Sequence, residues 1–179
     1  METSELTIPH VRLNLREYKM FFSEKMSRIV YDDVYEICRD NNNLISWLKS
    51  KQLLFDYQDI LCDSCCDGYL HLVKDKSFSK DQVVYRCTSR KCNHKQSIRH
   101  SSWFAGSHLS LKQIVKLTYY WVHKLPQNFV EEELKIGSCS TLVDWYNFAR
   151  EVCLKIAIDD KEQIGGPGIV VEIDESKFG

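Results

Sequence analysis

The sequence predicts an α+β chain built from small modules: a helical leader, a compact antiparallel β unit, a three-helix region and the first strand of a further domain. Three observations predict it. Apolar residues recur at helical spacing on both flanks of the chain, at Ile29 to Leu48 and again at Leu111 to Ile156. The centre holds short β-prone segments among clustered cysteines. Gly165-Gly166-Pro167-Gly168 then divides the last helical stretch from a run of branched aliphatics. With 179 residues, 44% apolar and 27% charged, the composition is that of an ordinary globular chain, which argues against disorder and fibrous repeats.

Each module follows in order. Residues 1–60 form the leader, where Ile29, Val30, Val34, Ile37 and Cys38 share helical spacing. Leu44, Ile45, Trp47 and Leu48 resume it after a break at Asn41-Asn42-Asn43. Residues 61–105 form the β unit. Tyr69–Val73 and Gln82–Tyr85 are its first two strands, joined by a polar loop, and Lys95 to Phe104 is a third. Residues 106–160 hold three helices. Leu111, Ile114, Val115, Trp121, Val122 and Leu125 line the first, which Pro126 ends. A short helix from Phe129 to Ile136 is expected to stop at Gly137, and Ser138 or Ser140 to cap the third. Leu142, Trp145, Tyr146, Ala149, Val152, Cys153 and Ile156 hold one face of that third helix. Residues 161–179 are a linker and a buried-type strand, Ile169–Ile173, with Asp174 at its end.

The eight cysteines are the most informative residues, and five of them fall between Cys62 and Cys92. No apolar run approaches the roughly 20 residues of a membrane span, and Met-Glu-Thr-Ser-Glu-Leu is unlike a secretory signal. The expected setting is therefore intracellular and reducing, where clustered cysteines bind metal rather than form disulfides. Cys62-x2-Cys65 and Cys87-x4-Cys92, 21 residues apart, have the spacing of a tetrathiolate zinc site: two tight turns each aim two thiolates at one Zn²⁺, and a β-hairpin joins them. On spacing alone Cys66 could replace Cys65, and His94 could replace Cys92. Cys38, Cys139 and Cys153 stand singly and read as core thiols.

Charge is divided just as unevenly. Formal net charge is −1, but residues 1–70 carry −4, residues 71–124 carry +9 and residues 125–179 carry −6. Five of the six histidines lie in the cationic block. Lys95, Ser97 and Arg99 alternate along the third expected strand, and Lys112 and Lys116 follow His108 at intervals of four on the next helix. Lys95, Arg99, Lys112 and Lys116 are the expected phosphate contacts, with DNA as the partner and salt-sensitive affinity as the consequence. The three helices have helix-turn-helix proportions with Gly137 in the turn. Glu131-Glu132-Glu133 makes that region a weaker DNA reader, and purely structural packing stands beside major-groove insertion.

Gly165 to Gly179, with Glu-Ile-Asp-Glu-Ser at 172–176, together with the cysteine knuckles, Ser97–Phe104, the segment Leu109–Trp121, Thr141–Trp145 and Arg150, resembles the Merlin superfamily of DNA transposases and their bacterial insertion-sequence relatives. Residues 1–50 match only loosely. The resemblance implies that Asp174 is the first member of the acidic triad of an RNase H-like domain. That triad holds two Mg²⁺ ions for strand cleavage and strand transfer in the complete enzyme. It also implies transposon terminal repeats as the DNA, a homo-oligomer of the complete enzyme, and a nuclear location in a eukaryote. Glu172 shares the strand face of Asp174. The second and third acidic residues do not occur in these 179 residues, so the expectation is zinc-dependent DNA binding without strand cleavage. A non-enzymatic zinc-ribbon adaptor for protein or RNA is the alternative of a different class.

Overall fold

A computed structural model describes residues 29–78, 80–159 and 167–168. The leader's first 28 residues, the strand expected at 169–173, Glu172 and Asp174 lie outside the described residues. The fold is mixed: five helices and one small antiparallel sheet among the described residues.

Helix α1 spans Tyr31–Arg39 and α2 spans Asn41–Ser50. The asparagine run is the start of α2 rather than a gap. Asp40 ends α1 and caps α2, its carboxylate accepting from the backbone N–H groups of Asn42 and Asn43 at 2.9 and 3.2 Å. Val34 and Cys38 on α1 and Leu44, Ile45 and Leu48 on α2 are buried. The chain then turns through Leu53 and Leu54, both 2% exposed, and reaches the sheet.

Strands β1 (Leu70–Lys74), β2 (Val83–Cys87) and β3 (Lys95–Ser97) lie in that order, all neighbours antiparallel. The central strand is the most buried, with Val84 and Tyr85 fully enclosed, while β1 exposes Leu72, Val73 and Lys74 along the edge. The β1–β2 connection is closed by Asp75, which donates its N–H to the Gln82 carbonyl. Its carboxylate accepts from the Ser77 N–H and hydroxyl. The third strand is shorter than the sequence suggested. It ends at Ser97, and successive turns occupy 98–106, with Ser101 and Gly106 at positive φ. Ile98 and Phe104 anchor those turns in the core, at 1% and 0% exposure.

Helices α3 (Leu111–Val122), α4 (Gln127–Leu134) and α5 (Cys139–Asp159) complete the fold. Ser110 caps α3 in a reciprocal box with Gln113. Two expected boundaries shift. Helix α3 ends at Val122, with His123 and Lys124 turning the chain, so Pro126 begins α4 instead of terminating α3. Helix α4 ends at Leu134 with Lys135 as its left-handed cap, φ 51°, in place of Gly137. Ile136, 5% exposed, is held in the core immediately after, which fixes that tight turn. Helix α5 begins at Cys139, and the Ser138 and Ser140 hydroxyls bond one another at 2.7 Å.

One hydrophobic core runs from α1 to α5. Trp103, from the turns after β3, meets Trp145 of α5 edge-on at 4.8 Å and joins the sheet side to the helical side. On the leader side, Lys49 and Asp56 pair at 2.8 Å and the Tyr85 hydroxyl donates to Asp56 at 2.7 Å. Burial disfavours charge on Lys49 and Asp56, but their hydrogen bonds with each other and with Tyr85 outweigh it. Asp56 is held below its ordinary pKa and Lys49 above.

This network makes two stability predictions. Tyr85→Phe should cost about 1 kcal/mol in urea unfolding, the net worth of one hydrogen bond to a partly enclosed carboxylate. Because Asp56 has a lowered folded pKa, its contribution is present above the unfolded value and is lost as pH falls through the folded one. The difference between wild type and Asp56→Asn should therefore shrink as pH is lowered from 7 to 3.

Candidate metal centre

The site begins with two tight turns at one end of the sheet. In the first, the Cys66 N–H donates to the Cys62 carbonyl and the Cys62 N–H to Gly68, each at 2.8 Å. In the second, the Cys92 N–H donates to the Ser89 carbonyl at 3.0 Å and the Cys87 N–H to His94 at 3.1 Å. Pairing of Leu70 with Cys87 across β1 and β2 brings the turns together, reinforced by Thr88 N–H to Tyr69 and by Tyr69 N–H to the Thr88 hydroxyl.

The sulfurs of Cys62, Cys65, Cys87 and Cys92 consequently lie within 4.8 Å of one another. Cys62 to Cys92 is 3.9 Å and Cys65 to Cys87 is 3.6 Å. A tetrahedron of thiolates at the usual zinc–sulfur length has edges of about 3.8 Å, so the four residues could hold such an ion with little adjustment. The alternatives left open by spacing are settled by this cluster. Cys65, not Cys66, joins it, and Cys92, not His94. Cys66 takes a left-handed conformation, φ 52°, that swings its exposed side chain toward the Asp63 carbonyl.

The surroundings suit thiolates unequally. The backbone N–H of Asp67, assisted by that of Gly68, brings the Cys65 thiol down to about 7. Burial pushes Cys87 up to about 12, although the Ser89 N–H points at its sulfur from 3.4 Å. Gly68 makes the close approach feasible. A Cβ there would stand 2.6 Å from the Cys87 sulfur and 2.7 Å from the Ser89 nitrogen.

Around this centre the expected phosphate contacts occupy different settings. Lys95 pairs with Asp75 at 2.7 Å and lies over the Phe78 ring. Lys112 donates to the Arg39 carbonyl at the end of α1. Lys112 and Lys116 both lie near Cys38, whose thiol burial raises to about 11 against their opposing charge. Arg99 departs furthest from expectation. With β3 ending at Ser97, Arg99 turns inward to 7% exposure, its Nε and Nη2 bonding Asp81 at 2.5 and 2.7 Å. Its Nη1 donates to the Ser107 and Leu109 carbonyls. A guanidinium so engaged is a structural tie and leaves the phosphate set.

The sheet brings forward a residue that the sequence places in the cationic block around the second knuckle but not among the expected phosphate contacts. Arg86 pairs with His71 on one side and Lys95 on the other, so three basic side chains form a row across one face. Arg86 is exposed and has no carboxylate partner among the described residues. Its signal was the alternation along Val83–Cys87, which sends Arg86 to the face opposite Tyr85 and Cys87.

Three substitutions test the geometry. Gly68→Ala should lower stability by about 1–3 kcal/mol through overpacking against Cys87, read by thermal unfolding. Asp81→Asn should cost about 3–5 kcal/mol, because it strands a buried guanidinium. Asp75→Asn should cost far less, since the Lys95–Asp75 pair remains in contact with water.

Comparison with protein-family models, with curated proteins and with solved structures finds no match for this chain.

Proposed function

We propose that this chain is the DNA-binding N-terminal portion of a cut-and-paste DNA transposase, its β unit a zinc ribbon and α3–α5 a helix-turn-helix-like region. The carrying observation is the convergence of four cysteine sulfurs at the end of a sheet whose adjoining face bears the His71–Arg86–Lys95 row. Zinc would supply folding free energy to a three-stranded unit with little core of its own. Within the row, Arg86 and Lys95 would take the phosphate backbone, with Arg86 the less encumbered of the two. Arg90 and Lys91, exposed in the second knuckle, add to the same charge. The resemblance to the Merlin superfamily supports a terminal-repeat target. In the complete enzyme it also assigns Asp174 to the first position of a two-Mg²⁺, RNase H-like site.

Helix α5 is a poorer candidate for the groove. Arg150 is occupied by Asn147 at 2.6 Å, and Asp144 is exposed on the same helix. The binding surface is therefore assigned to the sheet.

The test is electrophoretic mobility or anisotropy on duplex terminal-repeat DNA, alongside zinc analysis of the purified chain. We expect one zinc equivalent, binding that falls steeply with salt, and loss of binding on chelation. Arg86→Ala should reduce the slope of log affinity against log salt by about one unit. Affinity indifferent to salt, or full binding by Cys62→Ser, would overturn the reading.

A further inference from the structure

A second feature lies away from the sulfurs, between the β1–β2 loop and the turns that follow β3. There a cleft of about 400 Å³ is lined by Phe78, Lys80, Arg99, His100, Ser107 and His108. That volume is within the range of small-ligand sites. Its lining is chemically one-sided: an ammonium, a guanidinium, two imidazoles and hydroxyls, with no carboxylate. Asp81, the acid nearest in sequence, gives its two oxygens to Arg99.

Lys80 is the available cation. It is exposed, has no carboxylate partner among the described residues, and its ammonium is steered by the His108 carbonyl on the opposite wall. It also lines an adjoining cavity of about 110 Å³ that Lys112 reaches. That second cavity also has Asp81 in its lining, and Lys112 is held there by the Arg39 carbonyl, so Lys80 is the cation the cleft itself offers. Arg99 contributes a rigid wall, fixed by four hydrogen bonds. Gly106 keeps the rim low: at φ 71° it has no heavy atom within 4 Å of where a Cβ would stand.

The last wall is aromatic. Phe78 is 39% exposed, and the Lys95 ammonium lies 5.8 Å from its ring centroid. An exposed ring beside a cationic cleft suits a group that is anionic at one end and planar at the other. An unpaired nucleotide has both, with a base that stacks on an aromatic face and a phosphate that meets lysine.

We propose that this cleft binds one unpaired nucleotide of single-stranded DNA, phosphate at Lys80 and base against Phe78. It rests on the nucleic-acid reading above; the cleft meets the His71–Arg86–Lys95 row only where Lys95 lies over Phe78, and Lys80 stands off it. The two therefore separate by experiment. Anisotropy of the full zinc-loaded chain is measured with a labelled oligothymidylate and with a labelled duplex. Phe78→Ala and Lys80→Gln should each weaken oligothymidylate binding by about tenfold, and Lys80→Gln, which touches no member of the row, should leave duplex binding and zinc content unchanged. Arg86→Ala should do the reverse. Equal losses on both probes, or no loss on oligothymidylate, would overturn the cleft assignment. Oligothymidylate binding with the Phe78 and Lys80 dependence, in a chain that ignores duplex, would uphold the cleft and overturn the sheet reading.

Discussion

The buried pairing of Arg99 with Asp81 is the interaction on which the arrangement of the parts depends. At 7% and 5% exposure the two residues are among the few charged groups in the core. Asp81 belongs to the β1–β2 loop, and its carbonyl accepts from Asn41 at the start of α2. Arg99 belongs to the turns after β3, and its Nη1 holds the Ser107 and Leu109 carbonyls that lead into α3. One ion pair therefore joins the leader, the sheet and the first helix of the C-terminal group. Taking two charges out of water is costly, and such a pair adds little net stability over an apolar substitute. Its value is geometric, because two parallel N–H···O contacts set both position and angle.

With that tie in place, the two ends of the sheet do different work. At one end the Leu70–Cys87 register and the close approach at Gly68 gather four sulfurs into a space of tetrahedral dimensions. At the other end, the short third strand releases the chain into turns whose Trp103 packs against Phe104 and against Trp145 of α5. Strand β2 serves both ends, with Tyr85 in the core and Cys87 in the cluster.

The same packing divides the cationic block. Some of its charge is consumed internally: Arg99 by Asp81, Lys95 in part by Asp75, and Lys112 by the last carbonyl of α1. Exposed charge without a carboxylate partner among the described residues includes Arg86, Arg90 and Lys91 at the second knuckle, Lys80 at the cleft, and Lys74, Lys76 and Lys124. A block that reads as one +9 tract in sequence is, in space, divided between exposed cations and cations that tie the fold together. No helix among the described residues is long and apolar enough to cross a membrane, which is consistent with the sequence.

What the sequence by itself determined were properties with a short range. The paired cysteine spacings located the two knuckles of the cluster to within a residue or two, because knuckle geometry is set locally. The mixed α+β class and the positions of the strand and helix cores followed from local apolar period. The boundaries did not. Lys135 closes α4 in place of Gly137 because burial of Ile136 and Leu134 imposes the turn, and tertiary packing can hold a lysine at positive φ. Arg99 looked like a surface cation because alternation was carried past Ser97. Nothing local announces a carboxylate 18 residues upstream, and only the folded chain brings the two together. Cys65 was distinguished from Cys66 for the same reason: both satisfy the spacing, and the backbone conformation at Cys66 decides which sulfur faces the cluster.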